Sequence, residues 1–158
     1  MDNQDIFNLI DIPFSFQKRP SPLYYPYRTV WGISILVLIL HVCSRGKRSS
    51  ITRLHILNWA TRNSENQTKI VELLEGRLSR TSLIVSHDPG FDRAIEYSIA
   101  EGLAVVEGKA RIKLVAKGIQ MAKEIMSIED CLLEEKVFLQ KKGSSLTEGL
   151  SASLLKLP

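Results

Sequence analysis

Three histidines, two cysteines and one serine-histidine-aspartate run are the residues whose types lend themselves to chemistry. His41, His55 and His87 act as metal ligands or proton carriers only where further ligands converge on them. None stands at metal-ligand spacing from Cys43 or Cys131, and the chain holds neither a CxxC nor an HxxxH pattern. Ser86-His87-Asp88 sets a nucleophile, a base and an acid side by side. Members of a triad meet in space and seldom sit adjacent in sequence, so this run reads as a loop ending in a helix cap. A phosphate-cradling glycine loop and a dinucleotide fingerprint are both absent. The expectation is therefore no catalytic, cofactor-binding or metal-binding residue, and no enzyme activity of the chain's own.

The second available chemistry is ionic. Arg45, Lys47, Arg48 and Arg53 form one basic group; Lys109, Arg111, Lys113 and Lys117 form another. Arg111 and Lys113 alternate with Ile112 and Leu114, so on a strand they share an exposed face. Two readings stay open: a solvated face, or salt-sensitive and sequence-independent contact with phosphates. A net charge of +4 and a pI near 9.1 permit nucleic acid or an acidic protein surface as partner and demand neither.

The elements that would position these residues follow from composition and pattern. The 158 residues, 44% hydrophobic and 24% charged, suit one domain with a real core and an added arm or tail. Two distant cysteines in apolar surroundings fit reduced core thiols of a cytosolic protein. Asp2, Asp5 and Asp11 precede the first basic residue, Lys18, which is the reverse of an export signal, so a cytoplasmic location is expected. The most apolar run, Thr29 to Cys43, would rise only about 22 Å as a helix at roughly 1.5 Å per residue. A membrane span needs about 30 Å. The run is expected to be a helix buried on nearly all sides, with no membrane contact.

Residues 1–28 read as an extended arm, since Pro20, Pro22 and Pro26 exclude regular helix. Its Phe14, Phe16, Leu23, Tyr24, Tyr25 and Tyr27 must cover something apolar, either the chain's own domain or a partner. Ser50 caps a helix ending near Arg62, and a capping box at Ser64–Gln67 starts the next, which Gly76 stops. Ser82 to Ser86 is short and β-branched and reads as a strand. Asp88-Pro89 then gives a strong helix start, with Phe91, Ala94, Ile95, Ser98 and Ile99 on one face. Past Gly102, a hairpin runs from Ala104 to Glu107 and back from Ala110 to Val115, turning at Gly108-Lys109. One long helical pattern follows, with Ile119, Ala122, Ile125, Ile128, Leu132 and Leu139 in step. A last capping box, Ser145 to Glu148, precedes Leu150, Leu154 and Leu157.

This order predicts a mainly α fold with a small β-hairpin: a winged helix-turn-helix domain over residues 29–126, with a helical tail over 127–158. The helix that would read DNA bases carries Asp88, Asp92, Glu96 and Glu101 against Arg93 alone. Such a helix is repelled by the major groove.

The runs LYYPYRTVWGISILVLILHVCSRGKRSSITRLHILNWATR and DPGFDRAIEYSIAEGLAVVEGKARIKLVAKG resemble the small middle component of bacterial ABC-three-component systems, the Lamassu-type anti-phage systems. The resemblance covers about residues 20–126 and is most specific in RLHILNWATR and in DP…RAIEYSIAEGL. One departure is visible. Winged helices of this kind commonly leave the wing through Leu-Thr-x-x-Gly, where this chain has Leu114-Val115-Ala116-Lys117-Gly118, and valine cannot cap. The resemblance implies a non-catalytic scaffold that binds a coiled-coil ATPase similar to structural-maintenance and DNA-repair ATPases. It also implies an effector subunit, often a nuclease, that the scaffold helps hold inactive. The expected docking residues are Phe14, Phe16, Leu23, Tyr24 and Tyr25 of the arm and Leu132, Leu133 and Phe138 of the tail. The competing reading is a winged-helix transcription regulator, dimerised through its C-terminal helices and binding an operator through Arg48 or Arg53.

Overall fold

The apolar run forms helix α1, Thr29–Val42, in the computed structural model, which describes residues 24–154. The arm residues Phe14, Phe16 and Leu23, and Leu157 at the other end, lie outside the described residues. Every side chain from Ile35 to Leu40 in α1 is fully buried, because neighbours pack on all its faces. It is the central rod of the fold. No helix among the described residues is long and apolar enough to cross a membrane. Ahead of it, Tyr25–Tyr27 makes a single 3-10 turn around the buried Pro26.

The chain reverses after α1 through Gly46 and Lys47, both at positive φ (66° and 56°). It then enters a short strand, β1, Arg48–Ser50. Strand β1 pairs antiparallel with the second arm of the hairpin, so that β2, Ala104–Glu107, and β3, Arg111–Leu114, complete a sheet of order β1-β3-β2. The register sets Arg48 opposite Lys113 and Ser50 opposite Arg111, and sends Ile112 and Leu114 into the core. The strand expected at Ser82–Ser86 is not formed. Arg80–Ser82 is a 3-10 turn, and the chain after it runs on outside any sheet, with Leu83 as its buried anchor. The open edge of β3 is taken by residues 48–50 instead.

Seven α-helices occur among the described residues. Ser50 caps α2, Ile51–Thr61, accepting from the Arg53 amide at 3.2 Å. Helix α3, Ser64–Leu74, is capped by Asn63 and not by Ser64: Asn63 Oδ1 accepts from the Asn66 amide at 2.8 Å. Asp88 caps α4, Pro89–Ala100, as Asp-Pro requires, and Phe91, Ala94, Ile95 and Ser98 are its buried face. Helix α4 lies so close to α1 that a Cβ on Gly32 would sit 2.8 Å from Ala94 Cβ.

Helix α5, Ala116–Ser127, begins directly at the end of the hairpin without a side-chain cap on Val115. Packing takes the place of the cap. Gly118 lies against the Leu103 carbonyl, which also accepts from the Val115 amide at 3.1 Å. The long helical pattern breaks after Ser127. Leu132 takes a left-handed conformation (φ 50°) and starts a separate helix α6, Leu133–Lys142. Thr147, not Ser145, accepts from the Leu150 amide (3.2 Å) to start α7, Glu148–Leu154. Helix α6 packs on α1 and α7 packs on α2, so Phe138, Leu139, Leu146 and Leu154 join the same core as α1.

A Cβ added at Gly118 would lie 2.1 Å from the Leu103 carbonyl oxygen, a backbone atom that cannot swing away. Gly118→Ala is expected to cost about 3 kcal/mol, the upper end of ordinary overpacking. Urea unfolding of the variant beside wild type measures it.

Candidate functional site

Arg53, an expected phosphate contact, is inside the protein at 4% exposure. All five of its N–H groups are spent. Nε donates to the Leu146 carbonyl (2.6 Å); one terminal nitrogen donates to the Ser44 and Ser49 hydroxyls (2.9 and 3.2 Å). The other donates to the carbonyls of Cys43 and Gly143 (2.7 and 2.9 Å). Nothing of it remains for a ligand. Ser49 in turn donates to Glu148 Oε1 at 3.0 Å, and Ser50 meets the same carboxylate through its amide (3.0 Å) and its hydroxyl (2.5 Å). Burial raises the Glu148 carboxyl, but the Ser50 and Ser49 donors and the Arg53 charge outweigh it and hold the group below its ordinary value.

The other expected basic residues are surface groups of unequal freedom. Lys47 donates to the His41 carbonyl at 2.6 Å. Arg48 and Lys113 share Glu107, at 3.0 and 3.7 Å. Lys117 donates to the Glu101 carbonyl at 2.7 Å. Arg45, Lys109 and Arg111 have no ion-pair partner among the described residues. The structure brings Arg45, Arg48 and Arg111 to one hollow of about 660 Å³, with Glu148 on its wall.

The expected docking residues divide. Phe138 is core, at 6% exposure. Tyr24 (58% exposed), Tyr25 and Leu133 (52%) are surface residues, as are Tyr27, Val30 (73%) and Val137, which the sequence reading did not single out as docking residues. Tyr25 and Leu132 line the same hollow of about 520 Å³, together with Val30 and Trp31. The Tyr25 hydroxyl is pushed up to about 12 by its hydrogen bond with Tyr24, then by burial and by the carboxylates of Glu135 and Glu134. Those carboxylates belong to the first turn of α6, so the end of the arm meets the start of α6. Along α6 a second hollow, of about 650 Å³, is lined by Leu133, Val137 and Phe138 and, from α3, by Val71.

Ser86-His87-Asp88 does not assemble as a triad. Asp88 accepts from the Gly90 amide (2.9 Å) and forms a largely buried ion pair with Arg62, whose guanidinium lies 5.0 Å from the Tyr27 ring centre. His87 turns to Asp92 (2.7 Å), and the other oxygen of Asp92 meets His55 at 2.9 Å. Burial holds His55 below its ordinary value, against the pull of Asp92, so its ring is neutral at neutral pH. This two-histidine, one-carboxylate group was not expected. Its members stand on α2, on the segment before α4 and on α4 itself, so no spacing rule along the chain could find it.

Neither Cys43 nor Cys131 is in a disulfide. No known protein family, curated protein or solved structure matches the chain.

Two stability tests address the buried arginine. Arg53→Lys offers three donors on a different geometry and strands buried carbonyls. It is expected to lose about 3 kcal/mol, since each stranded buried group costs about 1–3 kcal/mol; guanidinium-chloride unfolding reads this directly. Glu148→Gln is expected to be less stable than wild type at neutral pH. A lowered folded value means the stabilisation is complete above the ordinary glutamate value of about 4.3. It fades as pH falls below that through the folded value, so the two unfolding curves converge in acid.

Proposed function

We propose that this chain is a winged-helix docking subunit without catalytic chemistry of its own. On this reading it binds the head of a coiled-coil ATPase and helps hold an effector inactive in a cytoplasmic anti-phage complex. The observation that carries the docking reading is the meeting of arm and α6. Exposed Tyr25 and Val30 line one hollow with Leu132, Tyr24 and Tyr27 are exposed on the same turn, and Leu133 and Val137 extend the apolar surface along α6. Aromatic residues grouped around a hollow, with charged residues at the edge, are the composition of a protein-protein contact.

The winged-helix reading is supported by topology. A strand between the first two helices adds to the far side of the hairpin, in the order β1-β3-β2. Helix α4 leads into that hairpin through Gly102 (φ 69°) and the buried Leu103. The identity of the partners rests on the resemblance of the two sequence runs quoted above.

The distribution of charge favours protein over nucleic acid as the main partner. Arg53 is consumed in the core, Glu107 sits between Arg48 and Lys113, and α4 offers Glu96 and Tyr97 to solvent beside Arg93. A groove-reading helix needs the opposite balance.

The test is affinity purification of the chain, tagged at its native locus, with mass spectrometry of the eluate. Truncating residues 127–158 would be uninformative, because α6 and α7 are part of the core. Point changes on the exposed face are used instead. Wild type is expected to retain a large coiled-coil ATPase; Leu133→Glu with Val137→Glu is expected to lose it, and Arg48→Glu with Arg111→Glu to keep it. Recovery of wild type alone as a soluble dimer that binds a short palindrome would replace this reading with the transcription regulator.

A further inference from the structure

We infer that His55, His87 and Asp92 form a binding site for one divalent transition-metal ion, with zinc the best chemical match. The inference goes beyond the docking reading and does not depend on it.

Three features of the site carry it. First, the donor set is right. One ligand atom from each of the three residues lies within 4.8 Å of the other two. Two imidazoles and one carboxylate are the mixed nitrogen-oxygen set that zinc and its borderline neighbours take, leaving a fourth position open. Second, the three ligand groups are already gathered within reach of one ion. Each histidine Nε2 meets one oxygen of Asp92, at 2.9 Å for His55 and 2.7 Å for His87. Ligands on a tetrahedral zinc with bonds of about 2.0–2.1 Å are about 3.3 Å apart. The two imidazoles meet different oxygens of Asp92, so one ion would replace both hydrogen bonds and draw the two Nε2 atoms onto a single centre. His87 is the side chain that can move, since it stands on an irregular segment and is 63% exposed.

Third, the surroundings suit an ion. His55 is nine-tenths buried, and its Nδ1 has no hydrogen-bond partner. While the site is empty, Asp92 accepts the proton on Nε2. An ion that takes the carboxylate removes that acceptor, and the proton can then move to the unpartnered Nδ1, which leaves the Nε2 lone pair for the metal. A hollow of about 250 Å³ adjoins the cluster, walled by Ile51, Ile56 and Val85 and carrying the hydroxyls of Thr52 and Ser86. It gives the open position room for a water and an apolar rim that strengthens the charge interactions inside. The ion would join α2, the 83–88 segment and α4, and so fix a stretch of chain that no sheet holds.

The full chain, stripped with chelator and transferred to chelator-free buffer, is titrated with zinc chloride by calorimetry. Cobalt chloride is then added to a second sample while visible absorption is followed. One zinc per chain and the intense bands of four-coordinate cobalt are expected. His87→Ala alters an exposed residue, so its circular dichroism should match wild type. Its affinity should fall by more than about 100-fold, beyond what loss of an outer partner costs. Asp92→Asn should do the same, and His41→Ala should bind as wild type does. No saturable binding by wild type would overturn the assignment. So would binding that survives both His87→Ala and Asp92→Asn, which would mark ions held loosely elsewhere on the surface.

Discussion

The guanidinium of Arg53 is the constraint on which the rest of the molecule depends. A buried cation without partners is far more costly than any single packing contact. Here every donor is met, and by neutral acceptors: three carbonyls and two hydroxyls. The hydroxyls are themselves oriented. Ser44 donates onward to the Ile39 carbonyl at 2.9 Å, and Ser49 donates onward to Glu148. Charge balance therefore arrives through a serine, not through a direct ion pair. The acceptors come from the end of α1, from β1 and from the turn between α6 and α7. One side chain on α2 thus ties together segments close to one hundred residues apart, as the separations of 93 and 90 positions to Leu146 and Gly143 record. The planar fork is what permits this, because its donors leave in fixed directions that a lysine ammonium cannot reproduce.

The exposed face inherits its position from that knot. Gly143 contributes its carbonyl to Arg53, and a Cβ there would lie 2.7 Å from Cys43 Sγ. The end of α6 is therefore held against the end of α1, and antiparallel packing carries the start of α6 back to the arm. Leu132 lines one hollow with Tyr25 there, beside the turn around the buried Pro26. A preset apolar surface loses little conformational freedom when something binds to it.

How much of this was legible in the sequence depends on the range over which each signal acts. Helix α1 announced itself by unbroken hydrophobicity, α4 by Asp88-Pro89, and the hairpin by Gly108 between alternating strands; all are local. Strand β1 was missed because three residues cannot display a period of two, and its identity comes from the edge it meets. The break between α5 and α6 was missed because Leu132 adopts φ 50° with neither glycine nor proline to advertise it. Lys136 secures that corner by bonding to the Ile128 carbonyl. Arg53 was misread for the most general reason. An arginine among other basic residues after a turn looks like surface, and only the return of α7 onto α2 encloses it. The same holds for His55, whose two partners lie on another helix and the segment before it.

The acids of α4, which weigh against base reading, also acquire a structural account. Asp88 is occupied by the helix cap and by Arg62, and Asp92 by two imidazoles. These are the first-turn residues that a groove-reading helix would turn toward bases. In this chain Asp88 is buried against Arg62, and Asp92 is shared by His55 of α2 and His87. Arg62, packed over Tyr27, then links the cap of α4 to the aromatic face. What α4 leaves outside is Arg93 with Glu96 and Tyr97, a mixed and partly aromatic surface.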